Sequence, residues 1–159
     1  MASLKQKVIP LQFRTAKNRE DFIVGSSNNE AIIWIDKYPS WQNDAFIIVG
    51  AKSSGKSHLC SVWQKKSKCL ILDYNDVNIE NKNAISSKNL AIENIEYIKN
   101  LKYLLHIINI KKEKGFKLLM TSGKQLSQLK FNLADLNSRL LAFPKANILL
   151  PTDDVLKGL

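Results

Sequence analysis

Short apolar runs alternate with longer amphipathic stretches from about residue 46 to the carboxyl-terminal region. Five of these runs have the length and the mostly apolar composition of buried strands. They lie at 46–49, 69–72, 90–92, 117–120 and 146–150. Strands that alternate with helices favour a parallel sheet covered by helices on both faces. The pattern therefore predicts one α/β domain, with a five-stranded parallel sheet between helices.

The amphipathic stretches predict the helices of this domain. The first is introduced by Ser27-Asn28-Asn29-Glu30, which has the form of a capping box. Apolar residues then recur at helical spacing in four stretches, which lie at 31–35, 59–63, 95–108 and 133–140. By contrast, the segment 73–89 is rich in Asn, Asp and Ser, so we expect an irregular connection there.

The loop after the first predicted strand carries the clearest chemistry. Residues 50–57 have the pattern G-x-x-x-x-G-K-S, the phosphate-binding loop (P-loop) known as Walker A. Its backbone N–H groups would surround an anion, Lys56 would contact the β and γ phosphates, and the Ser57 hydroxyl would bind Mg²⁺. The sequence thus predicts a site for ADP or ATP with Mg²⁺. Its expected nucleotide-binding residues here are Gly50, Lys52, Ser53, Ser54, Gly55, Lys56 and Ser57.

A second acidic group, at the end of another strand, usually helps such a site to hold the metal ion. Glu93 follows the apolar run 90–92 and is the candidate for this role together with Ser57. The alternative is that Glu93 merely ends the strand. The next residue, Asn94, is an amide, which cannot accept a proton as a general base does. The pocket is therefore expected to bind nucleotide rather than to hydrolyse it rapidly.

The formal charge of +10 permits a nucleic-acid role without requiring one. Only Arg14, Arg19 and Arg139 are arginines among the 24 basic residues. An excess of lysine together with abundant Asn and Ile is the composition that AT-rich codons produce. A solvated, lysine-rich surface is therefore the favoured interpretation, and a DNA-binding patch is the alternative.

The chain shows no sign of a membrane or secretory segment. No apolar run approaches the ~20 residues that a membrane span needs, and residues 1–6 contain no apolar core of a signal peptide. Cys60 and Cys69 are the only cysteines, and they have neither metal-binding nor redox spacing. These observations predict a cytoplasmic protein with two reduced thiols and no membrane partner.

Several further segments match the sequence pattern of one protein family. Besides the P-loop they lie at 19–25, 27–29, 34–35, 92–96, 118–122 and 135–140. On these segments the chain resembles the Hda family, DnaA-related AAA+ regulators that lack the DNA-binding domain of DnaA. The resemblance covers about residues 6 to 156. It implies that the fold is the P-loop α/β subdomain of the AAA+ class.

The resemblance also implies roles for individual residues. Ser122 stands where ATPases of the AAA+ class read the γ-phosphate. The segment Leu136-Asn137-Ser138-Arg139-Leu140 is similar to the one in which DnaA-like proteins place an arginine finger, although an ordinary surface arginine is the alternative. A finger that acts on a partner implies that Arg139 is exposed and lies on a different face from the P-loop.

Residues on either side of the domain belong to the same resemblance. The segment 6–13 is similar to the short peptide that binds the DNA polymerase sliding clamp, a kind of peptide that orders on docking. Its expected contact residues are Gln6, Ile9, Leu11 and Phe13. The implied organisation is a flexible tail at 1–17, the AAA+ domain at 18–151 and the start of a small helical lid at 152–159, which the sequence does not continue.

By resemblance, the function is negative regulation of replication initiation. A nucleotide-bound regulator, tethered to the sliding clamp, would meet ATP-bound DnaA and direct Arg139 toward its γ-phosphate. The hydrolysed ATP would belong to DnaA, DNA would be met only indirectly, and this chain would be a poor ATPase. Two alternatives stay open. One is a small P-loop enzyme such as a kinase, for which the sequence offers no carboxylate base beside the P-loop, and the other is an inactive truncated remnant.

Overall fold

Five parallel strands form a single sheet in the order β2-β3-β4-β1-β5. The structure is a computed structural model that describes residues 28–149. The strands are β1 (Ala45–Gly50), β2 (Leu70–Asp73), β3 (Leu90–Glu93), β4 (Leu118–Ser122) and β5 (Lys145–Ile148). The α/β fold with five parallel strands, predicted from the alternating pattern, is confirmed. The tail 1–17 with its predicted clamp-binding residues and the lid segment 152–159 lie outside the described residues.

Six α-helices are present between residues 28 and 149. They are α1 (Asn29–Lys37), α2 (Lys56–Ser67), α3 (Lys82–Ser86), α4 (Leu101–Lys114), α5 (Leu126–Leu129) and α6 (Ala134–Ala142). Short 3-10 turns lie at Tyr74–Asp76, Ile79–Asn81 and Ile95–Tyr97. None of the helices in this part of the chain is long and apolar enough to cross a bilayer.

Three local features differ from the expectations for the sequence. The helix expected over 95–108 begins only at Leu101, because Asn94 has a φ of 64° and the Asn100 side chain accepts a hydrogen bond from the Tyr103 N–H. The connection 73–89 contains α3 and two turns rather than irregular chain alone. In the capping box predicted at 27–30, the Glu30 carboxylate would accept a backbone N–H at the start of its own helix. Helix α1 begins at Asn29, and the Glu30 carboxylate instead accepts a hydrogen bond from the Asn147 N–H in β5 at 3.2 Å.

Two apolar cores lie on opposite faces of the sheet, and β1 contributes to both. Residues 45, 47 and 49 of β1 pack into the core that is covered by α3 to α6. Phe46 and Ile48 pack into the core that is covered by α1 and α2, where Trp41 and Trp63 stack with ring centroids 5.3 Å apart. Every residue of β1 is buried, as expected for a central strand of a parallel sheet. The P-loop therefore follows a strand that is buried along its whole length.

A buried lysine adds polar contacts between α4 and the region of α3. Lys111 on α4 is fully buried, and its ammonium donates hydrogen bonds to the carbonyl oxygens of Ile85 and Lys88. The ammonium also lies 5.3 Å from the centroid of the Phe116 ring. Both backbone acceptors are satisfied in this way, and the hydrogen bond to the Ile85 carbonyl is buried.

We expect Lys111→Ala to lower the free energy of unfolding by about 2–4 kcal/mol, because it leaves the buried Ile85 carbonyl without this donor and creates a cavity. The matched control is Lys112→Ala, which removes the same side chain from an exposed position of the same helix. That change should stay within about 0.5 kcal/mol of the parent. Urea denaturation of the two variants checks the prediction, and equal midpoints would contradict it.

Candidate nucleotide-binding site

The carboxyl ends of β1, β3 and β4 meet at one edge of the sheet and surround a cavity of about 660 Å³. This is the size range of small-molecule sites in proteins. Three segments line the cavity: the P-loop with the start of α2, the residues after β3, and the turn after β4. All three contain residues with polar or charged side chains. The lining residues include Lys52, Ser53, Gly55, Lys56, Ser57, Glu93, Glu96 and Lys124.

Two glycines of the P-loop are required by its geometry. A Cβ on Gly50 would lie 2.6 Å from the Ser54 hydroxyl and 3.1 Å from the Ile148 side chain, so a larger residue where β1 enters the loop would have to displace Ser54 and press on β5. Gly55, at the start of α2, has a φ of 108°, which side-chain-bearing residues rarely adopt. The loop closes tightly enough that the buried Ser54 Oγ has no hydrogen-bond partner. Bound phosphate would supply an acceptor for that hydroxyl.

Lys56 is held inside the loop by the loop's own backbone. Its ammonium donates to the carbonyl oxygens of Gly50 at 2.6 Å and Ala51 at 2.8 Å. Burial lowers the pKa of Lys56, and the neighbouring Glu96 and Glu93 carboxylates partly offset that effect. Because α2 begins at Lys56, the positive end of the helix dipole points at the same space. Cation and helix end together form an anion-binding site.

Ser57 and Glu93 are brought together as the sequence predicts. The Ser57 hydroxyl donates a hydrogen bond to a Glu93 carboxylate oxygen. A hydroxyl and a carboxylate are hard oxygen donors, so the pair fits Mg²⁺. Within residues 28–149 no group of three His, Cys, Asp or Glu side chains could hold a metal ion. A Mg²⁺ ion here would therefore complete its shell with phosphate and water oxygens, as this ion commonly does.

Asn94 has a structural role, because its backbone and its side chain both form hydrogen bonds to neighbouring strands. Its φ is 64°, and its backbone N–H donates to the Thr121 hydroxyl at 3.0 Å. Its side-chain amide donates to the Asp73 carboxylate at the end of β2, also at 3.0 Å. The residue thus joins the ends of three adjacent strands. It organises this edge of the sheet, and its amide has no capacity to act as a base.

Ser122 lies next to the cavity, but its hydroxyl is used within its own turn. The residue is buried, donates to the Lys124 carbonyl at 2.6 Å and accepts from the Lys124 N–H at 3.1 Å. The turn that it stabilises presents Gly123 and Lys124 to the cavity. A contact between Ser122 and the γ-phosphate stays a prediction, and it requires the hydroxyl to leave the Lys124 carbonyl.

Glu96 is a residue of the cavity to which the sequence analysis assigned no role. The turn Ile95–Tyr97 after β3 folds its side chain back toward β4, where one carboxylate oxygen accepts the Gly123 N–H at 2.8 Å. The sequence offered no carboxylate base beside the P-loop, whereas the structure places the Glu96 carboxylate in the cavity. One feature of the sequence pointed to Glu96: it is a second acidic residue, three positions after Glu93. The prediction of a helix over 95–108 hid this, because it assigned Glu96 to a helix, whereas the residue lies in a turn.

Arg139 lies apart from this cavity. It is on α6, in a smaller cleft of about 200 Å³ that is lined by the starts of β1 and β4, including Ala45 and Leu118. That cleft is at the opposite edge of the sheet from the P-loop. The side chain is half-buried rather than fully exposed, and its guanidinium donates to the Asn109 side chain at 2.6 Å. Arg139 and the P-loop therefore lie on different faces of the domain, as expected.

No protein-family model matches the sequence, and no curated protein matches it significantly. Solved structures do resemble it. AMPPCP-bound DnaA from Aquifex aeolicus matches 91% of this chain and 53% of its own, with a TM-score of 0.79 and 19% identity. DnaA bound to AMPPCP and single-stranded DNA matches 87% of this chain and 51% of its own, with a TM-score of 0.77 and 18% identity. The DnaC helicase loader matches 85% of this chain and 97% of its own, with a TM-score of 0.67 and 14% identity.

These similarities establish the fold. The chain has the α/β fold of these DnaA and DnaC structures, a five-stranded parallel sheet with flanking helices. It spans about half the length of the DnaA structures that it matches. Both of those DnaA structures hold a nucleotide analogue.

We expect Lys56→Ala to weaken ADP binding by about 10- to 100-fold or more, because charge-assisted hydrogen bonds of about 1.5–3 kcal/mol each are lost. The matched control is Lys65→Ala, which removes a lysine from an exposed position of the same helix and should leave the affinity unchanged. Fluorescence titration with a labelled ADP measures both. Parent-like ADP affinity in Lys56→Ala would show that the nucleotide does not bind at the P-loop.

Proposed function

We propose that this chain is a nucleotide-bound, DnaA-related AAA+ regulator that promotes hydrolysis of the ATP bound to DnaA and so represses replication initiation. The observation that carries the proposal is the placement of two sites on one small domain. The P-loop cavity lies at the carboxyl edge of the sheet, and Arg139 lies at the amino edge. AAA+ proteins that pair head to tail need this arrangement, because a finger must reach the nucleotide of a neighbouring molecule.

The surroundings of Arg139 support a role as a finger. The bond to Asn109 uses one of the five guanidinium N–H donors and fixes the direction of the side chain between α4 and α6. Lys112 lines the same cleft and Asp44 is the one carboxylate among its described residues, so with Arg139 the local charge is net positive and favours an approaching phosphate. In the proposed complex the guanidinium stabilises the charge that develops on the γ-phosphate of DnaA-bound ATP. Such a finger can accelerate hydrolysis by about 10³–10⁵-fold.

The chain's own P-loop then holds the regulator in its binding-competent form. ADP or ATP with Mg²⁺ would occupy the cavity, with phosphate replacing the carbonyl oxygens of Gly50 and Ala51 as partner of Lys56. The regulator would act in the cytoplasm and meet DNA only through its partners, DnaA and the sliding clamp. The proposed clamp contacts are Gln6, Ile9, Leu11 and Phe13.

A small-molecule kinase is the second candidate function, and one observation favours it. Glu96 supplies the carboxylate beside the P-loop that a phosphotransferase needs as a base. A phosphotransfer assay with ATP and a panel of nucleosides separates the two candidates. A phosphorylated nucleoside would identify the chain as a kinase, whereas clamp-dependent loss of ATP from DnaA would support the regulator.

We expect Arg139→Ala to reduce the stimulation of DnaA-bound ATP hydrolysis by about 100-fold or more. The reason is that the charge developing on the γ-phosphate in the transition state loses its positively charged partner. The assay contains DnaA loaded with radiolabelled ATP, the sliding clamp on DNA and the parent or variant chain. Lys102→Ala is the control, because it removes an exposed cation from α4 outside the cleft. Stimulation that survives the loss of Arg139 would exclude the finger, and a parent chain without any effect would favour the inactive remnant.

We expect the double variant Leu11→Ala/Phe13→Ala to lose binding to the sliding clamp with little change in melting temperature, because a docking peptide contributes little to the stability of its own domain. The control variant, Lys5→Ala/Gln12→Ala, changes neighbouring positions and should bind as the parent does. Surface plasmon resonance with immobilised clamp measures binding. A melting temperature lowered by several degrees would instead place these two side chains in the core of the domain.

A further inference from the structure

A second cavity lies between α3 and α4, away from the P-loop and from Arg139. Its volume is about 380 Å³, and its lining shares no residue with the nucleotide cavity or with the Arg139 cleft. Ile85 on α3 and Ile107 on α4 form its floor, since both side chains are buried. Ile79, in the turn before α3, lies at its rim with an exposed fraction of 68%. The cavity is therefore an apolar groove that opens to solvent.

The two walls of the groove are fixed to each other. Ile85 and Ile107 belong to the same apolar core. Lys111, one turn after Ile107 on α4, donates hydrogen bonds to the carbonyl oxygens of Ile85 and Lys88. The end of α3 is thereby held against the last turns of α4. The groove is preformed, so binding there does not have to include the cost of ordering it.

Positive charge surrounds this groove. Lys82, at the start of α3, and Lys114, at the end of α4, line it, and no Asp or Glu among the described residues does so. One lysine on α3 and four on α4 stand against a single glutamate, Glu113, and all of these lysines except Lys111 are exposed. Glu80 and Glu113 follow or precede lining residues in the sequence but are not part of the lining. The groove thus combines an apolar floor with a positively charged border.

We propose that the groove between α3 and α4 binds an acidic segment of a partner protein. Apolar side chains of that segment pack against the isoleucines of the groove, and its carboxylates pair with Lys82 and Lys114. The inference goes beyond the proposed function, because the groove takes part neither in nucleotide binding nor in the contact made by Arg139. It gives the domain a third surface, with a partner chosen by charge and by apolar contact.

The lining favours a peptide over a nucleic acid, although both are attracted by lysines. Four isoleucines line the groove, at positions 79, 85, 107 and 110. Aliphatic side chains bind the apolar side chains of a peptide but offer no stacking face to a base. The two rings of the groove, Tyr103 and His106, stack on each other. Burial raises the pKa of Tyr103, so its hydroxyl stays protonated at neutral pH and can donate a hydrogen bond to a carboxylate.

The test measures, by fluorescence anisotropy, the binding of labelled peptides of defined sequence to the full chain. The acidic peptide has about 14 residues, with leucine at helical spacing and glutamate at the other positions, because helices dock in grooves through such a face. The basic peptide has lysine in place of every glutamate, and the polar peptide has serine in place of every leucine. A labelled single-stranded oligonucleotide of similar length is the fourth probe.

Two variants change the groove, and each has a matched control. Ile79→Ser removes the apolar rim, and its control is Ile33→Ser, at an exposed isoleucine of α1. Lys82→Glu/Lys114→Glu reverses the charge of the border, and its control is Lys65→Glu/Lys102→Glu, at exposed lysines outside the groove. Melting temperatures within a few degrees of the parent show that the variants are folded.

We expect the parent to bind the acidic peptide at least about tenfold more tightly than the basic or the polar peptide. Ile79→Ser and Lys82→Glu/Lys114→Glu should each weaken that binding by at least about tenfold, and the charge-reversed variant should prefer the basic peptide. Both controls should bind as the parent does. Equal affinity of the parent for the three peptides, or of the acidic peptide for the parent and the groove variants, would overturn the proposal. An oligonucleotide that binds the parent more tightly than the acidic peptide, and is lost on charge reversal, would assign the groove to nucleic acid instead.

Discussion

The parallel register of three strands is the constraint on which the rest of the site depends. β1 pairs with β4 so that Val49 lies opposite Ser122, and β3 pairs with β4 so that Ile92 lies opposite Met120. Parallel strands in this register end together, so the chain leaves the sheet at one edge three times in close proximity. The P-loop, the turn with Glu96 and the turn with Gly123 meet for this reason. A shift of β4 by one residue would exchange its buried faces and separate the Gly123 N–H from Glu96.

The polar groups at this edge of the sheet form hydrogen bonds with one another that a bound ligand would replace. Lys56 donates to the carbonyls of the P-loop, and Ser57 donates to Glu93, so the polar groups satisfy one another. Bound phosphate would replace the carbonyl oxygens as the partner of Lys56, and Mg²⁺ would replace the hydrogen bond between Ser57 and Glu93. Ser54 Oγ, which has no hydrogen-bond partner, is a group that a bound phosphate could satisfy. The loop is thus preformed, and binding requires exchange of hydrogen bonds rather than refolding.

The two edges of the sheet separate two kinds of chemistry on a domain of modest size. The P-loop cavity lies at the carboxyl edge, while Arg139 is held by Asn109 at the amino edge. Strand β1 runs from one edge to the other, with Ala45 beside the cleft of Arg139 and Gly50 at the P-loop. Because this strand is buried along its whole length, the distance between the two sites is fixed by the packed core. A partner bound at one edge therefore meets a domain whose opposite edge is rigidly placed.

The sequence by itself determined the features that are written locally. The alternation of apolar runs predicted the five strands, and the contiguous P-loop pattern identified Lys56 and Ser57, because both signals need only neighbouring residues. The tertiary structure decided which distant residues meet: Glu96 with Gly123, Arg139 with Asn109, and Asp73 with Asn94. No periodicity encodes such pairs, since they depend on strand order and register. The turn at Ile95–Tyr97 shows the difference, because a helical apolar pattern continued through residues that the positive φ of Asn94 directs back to the sheet edge.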